Sequence, residues 1–298
     1  MKKEGHTEEE APSTNRIGMG TLTTHMIVLS GKEPAKRIRE ELKETIENEN
    51  LSPGLAVLLV GGDAASALYV GLKEKAAAEV GVRMTVARVA SCSTKDAVER
   101  IEAWNADPSI HGIIVQLPLP AGMDADAVVQ TITPNKDVDG FHPETRGAVS
   151  AGTGETFSPV HLAVLTLVGQ SGLNLNGTEA LILGKSPIFT EPLAHLLKRA
   201  GAFVRVEQAK PRPYALKEAR LVVTALGQAG LLEGPELHPD AVVIDISTNR
   251  RADGKTVGDV VADTLGPTQA ASPVPGGVGP LTIAFLLKNT VEEAQRMR

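Results

Sequence analysis

Four stretches of the chain hold side chains whose types and spacing could do chemistry. In SALYVGLK (66–73), Tyr69 and Lys73 stand four residues apart, so on a helix they share one face. A lysine there, just past a buried strand, loses hydration; its pKa falls and it can exchange protons near neutrality. A solvated amphipathic helix would carry the same pair, and spacing alone does not separate the two readings. Gln116, in VQLPLP (115–120), ends an apolar run as an uncharged donor and acceptor, placed to touch a ligand or Lys73. A polar strand end before a proline stop fits it as well. PNKDVDGFHP (134–143) gathers Asp137, Asp139, Lys136 and His142 in one loop. Two carboxylates without a third ligand nearby make a poor metal cage, but one carboxylate can accept paired N–H groups from an amino-heterocycle. SPVPGGVGP (272–280) has three prolines, which stiffen it, and three glycines, which let backbone approach a flat ligand.

A fifth stretch, GKSPIFTEP (184–192), lies between an apolar run and a helical pattern, the outline of a phosphate site at a helix N-terminus. It holds one glycine rather than G-x-G-x-x-G, so Gly184, Lys185 and Ser186 are candidates on position more than on motif. Glu207 closes the next apolar run, where an acidic side chain would grip a ribose 2′-hydroxyl. Lys185, Lys210 and Arg212 would instead meet a 2′-phosphate. Glu191 is expected in the first turn of a helix starting at that residue, where its charge would repel a pyrophosphate.

The elements that must position these residues alternate regularly. Helical patterns at 34–49, 65–80, 95–106, 191–200 and 281–298 separate β-rich runs at 54–62, 83–90, 111–117, 179–184, 202–207, 220–226 and 241–246. Alternation of this kind predicts an α/β protein with two doubly wound parallel sheets, joined near 140–160 where glycines cluster.

Length and composition fit that reading. A chain of 298 residues accommodates two domains. A net charge of −6 argues against nucleic acid or an anionic membrane as main partner, and no apolar stretch is long enough to span a bilayer. The single cysteine, Cys92, excludes an intrachain disulfide framework and a cysteine-cluster zinc site, and fits the cytoplasm. No G-x-S-x-G, H-E-x-x-H or P-loop pattern occurs. The first residues, with charges of both signs and no apolar run, are expected to form a solvated tail and not a secretory signal.

Taken in order, PGLAVLLVGGDAASALYVGLKEKAAAEVG, VQLPLP, PNKDVDGFHP and PVPGGVGPLTIAFLLKNT resemble the bifunctional methylenetetrahydrofolate dehydrogenase/cyclohydrolase family over roughly 27–298. Beyond the disordered tail expected from composition (1–22), the resemblance implies a catalytic folate domain (23–155) completed by 281–298, and a Rossmann-like NAD(P)-binding domain (156–280). It implies Lys73 as catalytic lysine, Tyr69 beside it over the substrate, Gln116 supporting the lysine, Asp139 on the pterin, and Pro275, Gly276 and Gly277 lining the folate site. Gly184, Lys185, Ser186, Glu207 and Thr248 would bind the cofactor, NADP with NAD as the alternative, and no metal. The substrates would be tetrahydrofolate derivatives and the assembly a homodimer.

The nucleotide half departs from the family's pattern. Its G-R-S-x-I-V-G-x-P reads GKSPIFTEP; its P-C-T-P reads Pro159-Val160-His161-Leu162; its polar pair after the second strand reads Gln208-Ala209; its D-V-G-I-N reads Asp245-Ile246-Ser247-Thr248-Asn249. These departures keep two other functions open: a paralogue with cyclohydrolase activity alone, and a non-catalytic folate-binding protein.

Overall fold

The computed structural model describes residues 26–298, so the expected tail and the first residues of the expected folate domain lie outside it. A two-residue strand, Ile27–Val28 (β1), leads into helix α1 (Lys32–Glu49). Then β2 (Gly54–Val60), α2 (Ala64–Val80), β3 (Arg83–Val89), α3 (Thr94–Ala106) and β4 (Gly112–Val115) build a parallel sheet in the order β3-β2-β4. All seven residues of β2 are buried, as an unbroken apolar run in the middle of a covered parallel sheet must be. Helices α4 (Ala125–Gln130) and α5 (Pro143–Ala151) follow, and Asp137 bridges to Ile113 in parallel, laying the 134–143 loop against β4.

Helix α6 (Pro159–Ser171) opens the second unit. β5 (Glu179–Gly184), α7 (Pro187–Arg199), β6 (Phe203–Glu207), α8 (Pro213–Glu218) and β7 (Leu221–Ala225) come next. After them, short β8 (Leu232–Glu233) and β12 (Val260–Val261) pair with each other, as do β10 (Asn249–Arg250) and β11 (Thr256–Val257). With β9 (Val242–Asp245) and β13 (Ala270–Ala271) the main strands form a six-stranded parallel sheet, β1-β13-β9-β7-β5-β6. The chain leaves β5 for β6 on one side and returns to β7 on the other. The crevice at the carboxyl ends of β5 and β7 is therefore the switch point where such sheets bind ligands.

Three sequence expectations need correction. β1, where the sequence reading placed no strand, forms the edge of the second sheet: the Ile27 and Leu29 amides donate to the Gln269 and Ala271 carbonyls, both at 2.9 Å. Chain order does not reveal such a long-range partner. Helix α7 begins at Pro187 rather than Glu191, because proline suits a first helical position whose N–H has no partner to lose. Glu191 is thus exposed in the second turn, not the first.

The third correction concerns the final helix, α9 (Val278–Arg296), which starts three residues earlier than expected. Val278, Leu281 and Ala284 pack into the core around the second sheet. Ile283, Leu286, Leu287 and Val291 pack into the core against one face of the first. Helix α1 is divided in the same way, giving Ala35 to the former and Leu42 and Ile46 to the latter. A helix with two apolar faces must be covered on both, so α1 and α9 weld the two units together.

Candidate active site

Helix α2 begins where β2 ends. The Asp63 carboxylate caps it by accepting the Ser66 amide at 2.7 Å, and Gly81, at φ 90°, ends it. This fixes Tyr69 and Lys73 on the cleft-facing side. Lys73 Nζ donates to Gln116 Oε1 at 2.9 Å, and Gln116 Nε2 donates to the Leu117 carbonyl, also at 2.9 Å. Burial lowers the Lys73 pKa, opposed by the negative charge of Asp139. Burial in turn pushes Asp139 up to about 6, against the pull of Lys73 and with added repulsion from Asp137.

The 134–143 loop divides its polar groups between structure and site. Lys136 is buried, and its Nζ donates to the carbonyls of Trp104, Asn105 and Asp107, closing the C-terminus of α3. Asp137 is buried too, and accepts the amides of Gly140, Phe141 and His142 at 2.8–3.2 Å. His142 Nδ1 caps α5 by accepting the Glu144 amide. Among the described residues, none of the loop's hydrogen bonds goes to the Asp139 carboxylate. No metal-ligand cluster occurs among the described residues.

Two adjoining cavities, of about 480 and 340 Å³, occupy the cleft between the sheets and share Tyr69, Ile246, Thr248, Val278, Gly279 and Ile283. The smaller holds Lys73 and Gln116, together with Asp63, Pro118 and Thr282. The larger runs past Pro275, Gly276 and Gly277 to an outer rim bearing Lys32, Arg39 and Lys75. The glycines of this loop serve the protein's own packing more than expected. A Cβ at Gly31 would stand 1.9 Å from the Gly277 carbonyl oxygen, and one on Gly277 would meet Ser272 Cβ at 2.7 Å. Gly279, not singled out from the sequence, has nothing within 4 Å of its missing Cβ and faces both cavities.

The expected cofactor residues lie along the carboxyl edge of the second sheet. Gly184 pairs with Ala225 and Leu183 with Glu207, while Thr224 pairs with Asp245, three residues before Thr248. Gly184 is buried, its missing Cβ 2.8 Å from Thr190 Cγ2, so it lets α7 pack closely on the strand. Lys185, Ser186 and Glu207 are exposed. Ser186 is the N-cap of α7 without using its hydroxyl for capping. Pro187 has no N–H, and the Phe189 and Thr190 amides donate to the Ser186 carbonyl, so the Ser186 hydroxyl and the Ile188 amide are what this turn offers a phosphate group. Lys210 is held at 2.7 Å by Glu236, whereas Arg212 is exposed.

Thr248 is not only on that edge. Its Oγ1 lies 2.8 Å from the Tyr69 hydroxyl, across the cleft. Two further arrangements escaped sequence reasoning. His161 and Phe189, both departures from the family pattern, meet: His161 Nε2 donates to the Phe189 carbonyl at 2.9 Å and their rings lie 5.4 Å apart. Burial holds His161 at about 4, so it is neutral. Asp259, fully buried, accepts Thr224 Oγ1, Ser247 Oγ, Asn249 Nδ2 and the amides of Leu226 and Gln228. Burial works against its charge, but those hydrogen bonds outweigh it and lower its pKa. Its sequence context, GDV, carries no signal of that role.

A lysine-bearing cleft that faces the switch point of a second parallel sheet defines a two-domain dinucleotide-dependent enzyme. The model of the tetrahydrofolate dehydrogenase/cyclohydrolase catalytic domain matches residues 29–139, and that of the family's NAD(P)-binding domain matches 158–298. The chain belongs to the tetrahydrofolate dehydrogenase/cyclohydrolase family. It is 43% identical over 276 residues to bifunctional protein FolD 2 of Bordetella pertussis, covering 90% of this chain and 98% of that one. The bifunctional FolD enzyme of Campylobacter jejuni superposes with a TM-score of 0.85 at 37% identity, over 91% of this chain and 99% of that one. FolD of Trypanosoma brucei, solved with NADP and an inhibitor, gives 0.85 at 31% identity, over 91% and 98%.

Proposed function

We propose that this cleft oxidises methylenetetrahydrofolate to the methenyl form and hydrolyses that to formyltetrahydrofolate. The bond from Lys73 to Gln116, made by a lysine of lowered pKa in the cleft, carries the reading. The pterin occupies the smaller cavity beside Lys73, whose charge reaches Asp139, and its amino and ring N–H donors face that carboxylate. The aminobenzoyl ring passes Tyr69; the glutamate carboxylates reach the exposed Lys32 and Lys75, Arg39 being paired with Glu79. The second sheet's carboxyl edge would hold NADP, which would supply the hydride acceptor for the oxidative step. The chain's own part in that step is alignment, which contributes several kcal/mol when two reactants are held together.

The product of oxidation is a delocalised cation, and in the hydrolytic step water attacks its bridging carbon. One carbon–nitrogen bond breaks, the departing nitrogen takes a proton, and one proton is released overall. Lys73, with its charged form disfavoured, shuttles those protons while Gln116 holds its Nζ in place. A protein that only bound folate would need neither the lysine nor its partner.

Ser186 and the first turn of α7 hold the pyrophosphate, with Lys185 beside them. With Lys210 engaged by Glu236, Arg212 takes the 2′-phosphate, so NADP is preferred, the cofactor present in the Trypanosoma brucei relative. Edge strand β6 exposes Phe203 (62%) and Val206 (43%), which supports pairing with a second copy as a homodimer. The protein works in the cytoplasm, where Cys92 stays a free thiol. No described helix is long and apolar enough to cross a membrane.

The test is purified protein with methylenetetrahydrofolate and either NADP or NAD, following reduced nicotinamide and methenyltetrahydrofolate separately. Both signals should rise with NADP, the methenyl product then decaying by hydrolysis. Absence of reduced nicotinamide with both cofactors, alongside hydrolysis of added methenyltetrahydrofolate, would leave the cyclohydrolase alone.

A further inference from the structure

The hydrogen bond between Tyr69 Oη and Thr248 Oγ1 joins side chains 179 positions apart and spans the cleft between the two sheets. Thr248 stands where the family pattern has isoleucine, a side chain that cannot make this bond. Its neighbour Ser247 replaces the pattern's glycine. Both departures add a hydroxyl, and both hydroxyls are used. Ser247 Oγ donates to Asp259 Oδ2 at 2.7 Å, and Asn249 Nδ2, on the other side of Thr248, donates to Asp259 Oδ1 at 3.1 Å. Ser247 Oγ also accepts the Gly227 amide, and the Ser247 amide donates to Asp245. Thr248 is therefore clamped on both flanks to a fully buried carboxylate, which makes it a rigid post.

What the post holds is the half-exposed Tyr69, a side chain shared by both cavities and one helical turn before Lys73. A free tyrosine there would swing between rotamers, and ordering it on binding would cost affinity. We infer that Thr248 is a positioning residue of the nucleotide domain that pins the Tyr69 hydroxyl, pre-forming the wall past which the folate threads. This reassigns Thr248 from the cofactor set to the substrate side and rests on the folate reading above. It also gives the sequence drift at 247–248 a function: a latch between domains built from the two substitutions together.

A pre-formed wall acts equally on substrate and transition state, so its loss should appear in KM rather than kcat. One hydrogen bond of this kind contributes ~1 kcal/mol, or roughly fivefold. The experiment compares Thr248→Val, which keeps the shape but loses the hydroxyl, with Thr248→Ser, Tyr69→Phe and the Tyr69→Phe/Thr248→Val double variant. Thr248→Val should raise KM for methylenetetrahydrofolate about 5- to 10-fold, with kcat, NADP affinity and Tm little changed. Thr248→Ser should restore KM to about wild type. Tyr69→Phe should match Thr248→Val, and the double variant should be no worse than either, because both remove one bond. An unchanged KM in Thr248→Val, a fall in NADP affinity instead, or multiplicative losses in the double variant would overturn the latch alone. A wild-type protein inactive on every folate would overturn the folate reading and the latch together.

Discussion

Lys73 Nζ meets Gln116 Oε1 at 2.9 Å, and the Gln116 amide cannot turn around, because its Nε2 is committed to the Leu117 carbonyl. The lysine thus faces a neutral acceptor, which orients it without holding its proton as firmly as a carboxylate would. Gln116→Glu should place an anion at the same distance and favour the ammonium form. The cyclohydrolase pH profile should then move to higher pH by ~1–2 units, with lower activity near neutrality. A pH–rate profile of hydrolysis decides this; an unmoved profile would detach Gln116 from the control of Lys73.

Lys73→Met removes the proton carrier but keeps much of the side chain's bulk. Hydrolysis of methenyltetrahydrofolate should fall at least ~100-fold. Folate affinity should stay within about tenfold, that is ~1.4 kcal/mol. Turnover and equilibrium binding measured on one preparation separate the two effects.

Asp139 must be ionised to accept two N–H donors, and burial has brought its pKa up to about 6. Protonation below that value removes the acceptor pair, so folate affinity should weaken as pH falls from 7 to 5, approaching tenfold per unit at the acid end. Asp139→Asn should bind folate weakly and without that slope, while NADP affinity stays unchanged. Titrations at three pH values provide the check.

Glu191 was expected to repel the cofactor from the first turn of α7, but the helix starts a turn earlier. Repulsion falls with distance and screening, so Glu191→Arg should change NADP affinity by no more than about threefold. Lys185→Glu, exposed beside Ser186, should weaken it more than about tenfold. Titration with NADP at low and moderate salt distinguishes them.

His161 is buried and neutral with its pKa near 4, below the unfolded value of 6.5. The unfolded chain therefore takes up a proton first as pH falls, and stability contributed by this group drops between pH 6.5 and 4. Asp139 and Asp245, raised to about 6 and about 7, run the other way. Their folded forms take up protons before the unfolded ones do. The informative quantity is thus the difference between wild type and His161→Gln in urea unfolding. That difference should shrink by about 2 kcal/mol from pH 7 to pH 5.

The sheets were legible in the sequence because β2 and β5 are short apolar runs with glycine at their ends, and Tyr69, Lys73 and Gln116 because each follows such a strand. Helix starts were less so: proline at 187 reads as a breaker until its N1 position is recognised. β1 escaped because two residues carry no periodicity. The 134–143 loop showed its charges but not their division, since only tertiary partners distinguish Lys136 and Asp137, which are used within the fold, from Asp139. Asp259 and the His161–Phe189 contact depend wholly on long-range neighbours, which a local pattern does not encode.

Helix α9 has one more consequence. Every strand of both sheets leaves the ribosome before it does, yet two of the cores lack Leu281, Ala284, Leu286 and Leu287 until it arrives. A nascent chain that already contains both sheets must therefore keep apolar surface uncovered, exposed to chaperones and proteases, until one late segment closes both units at once.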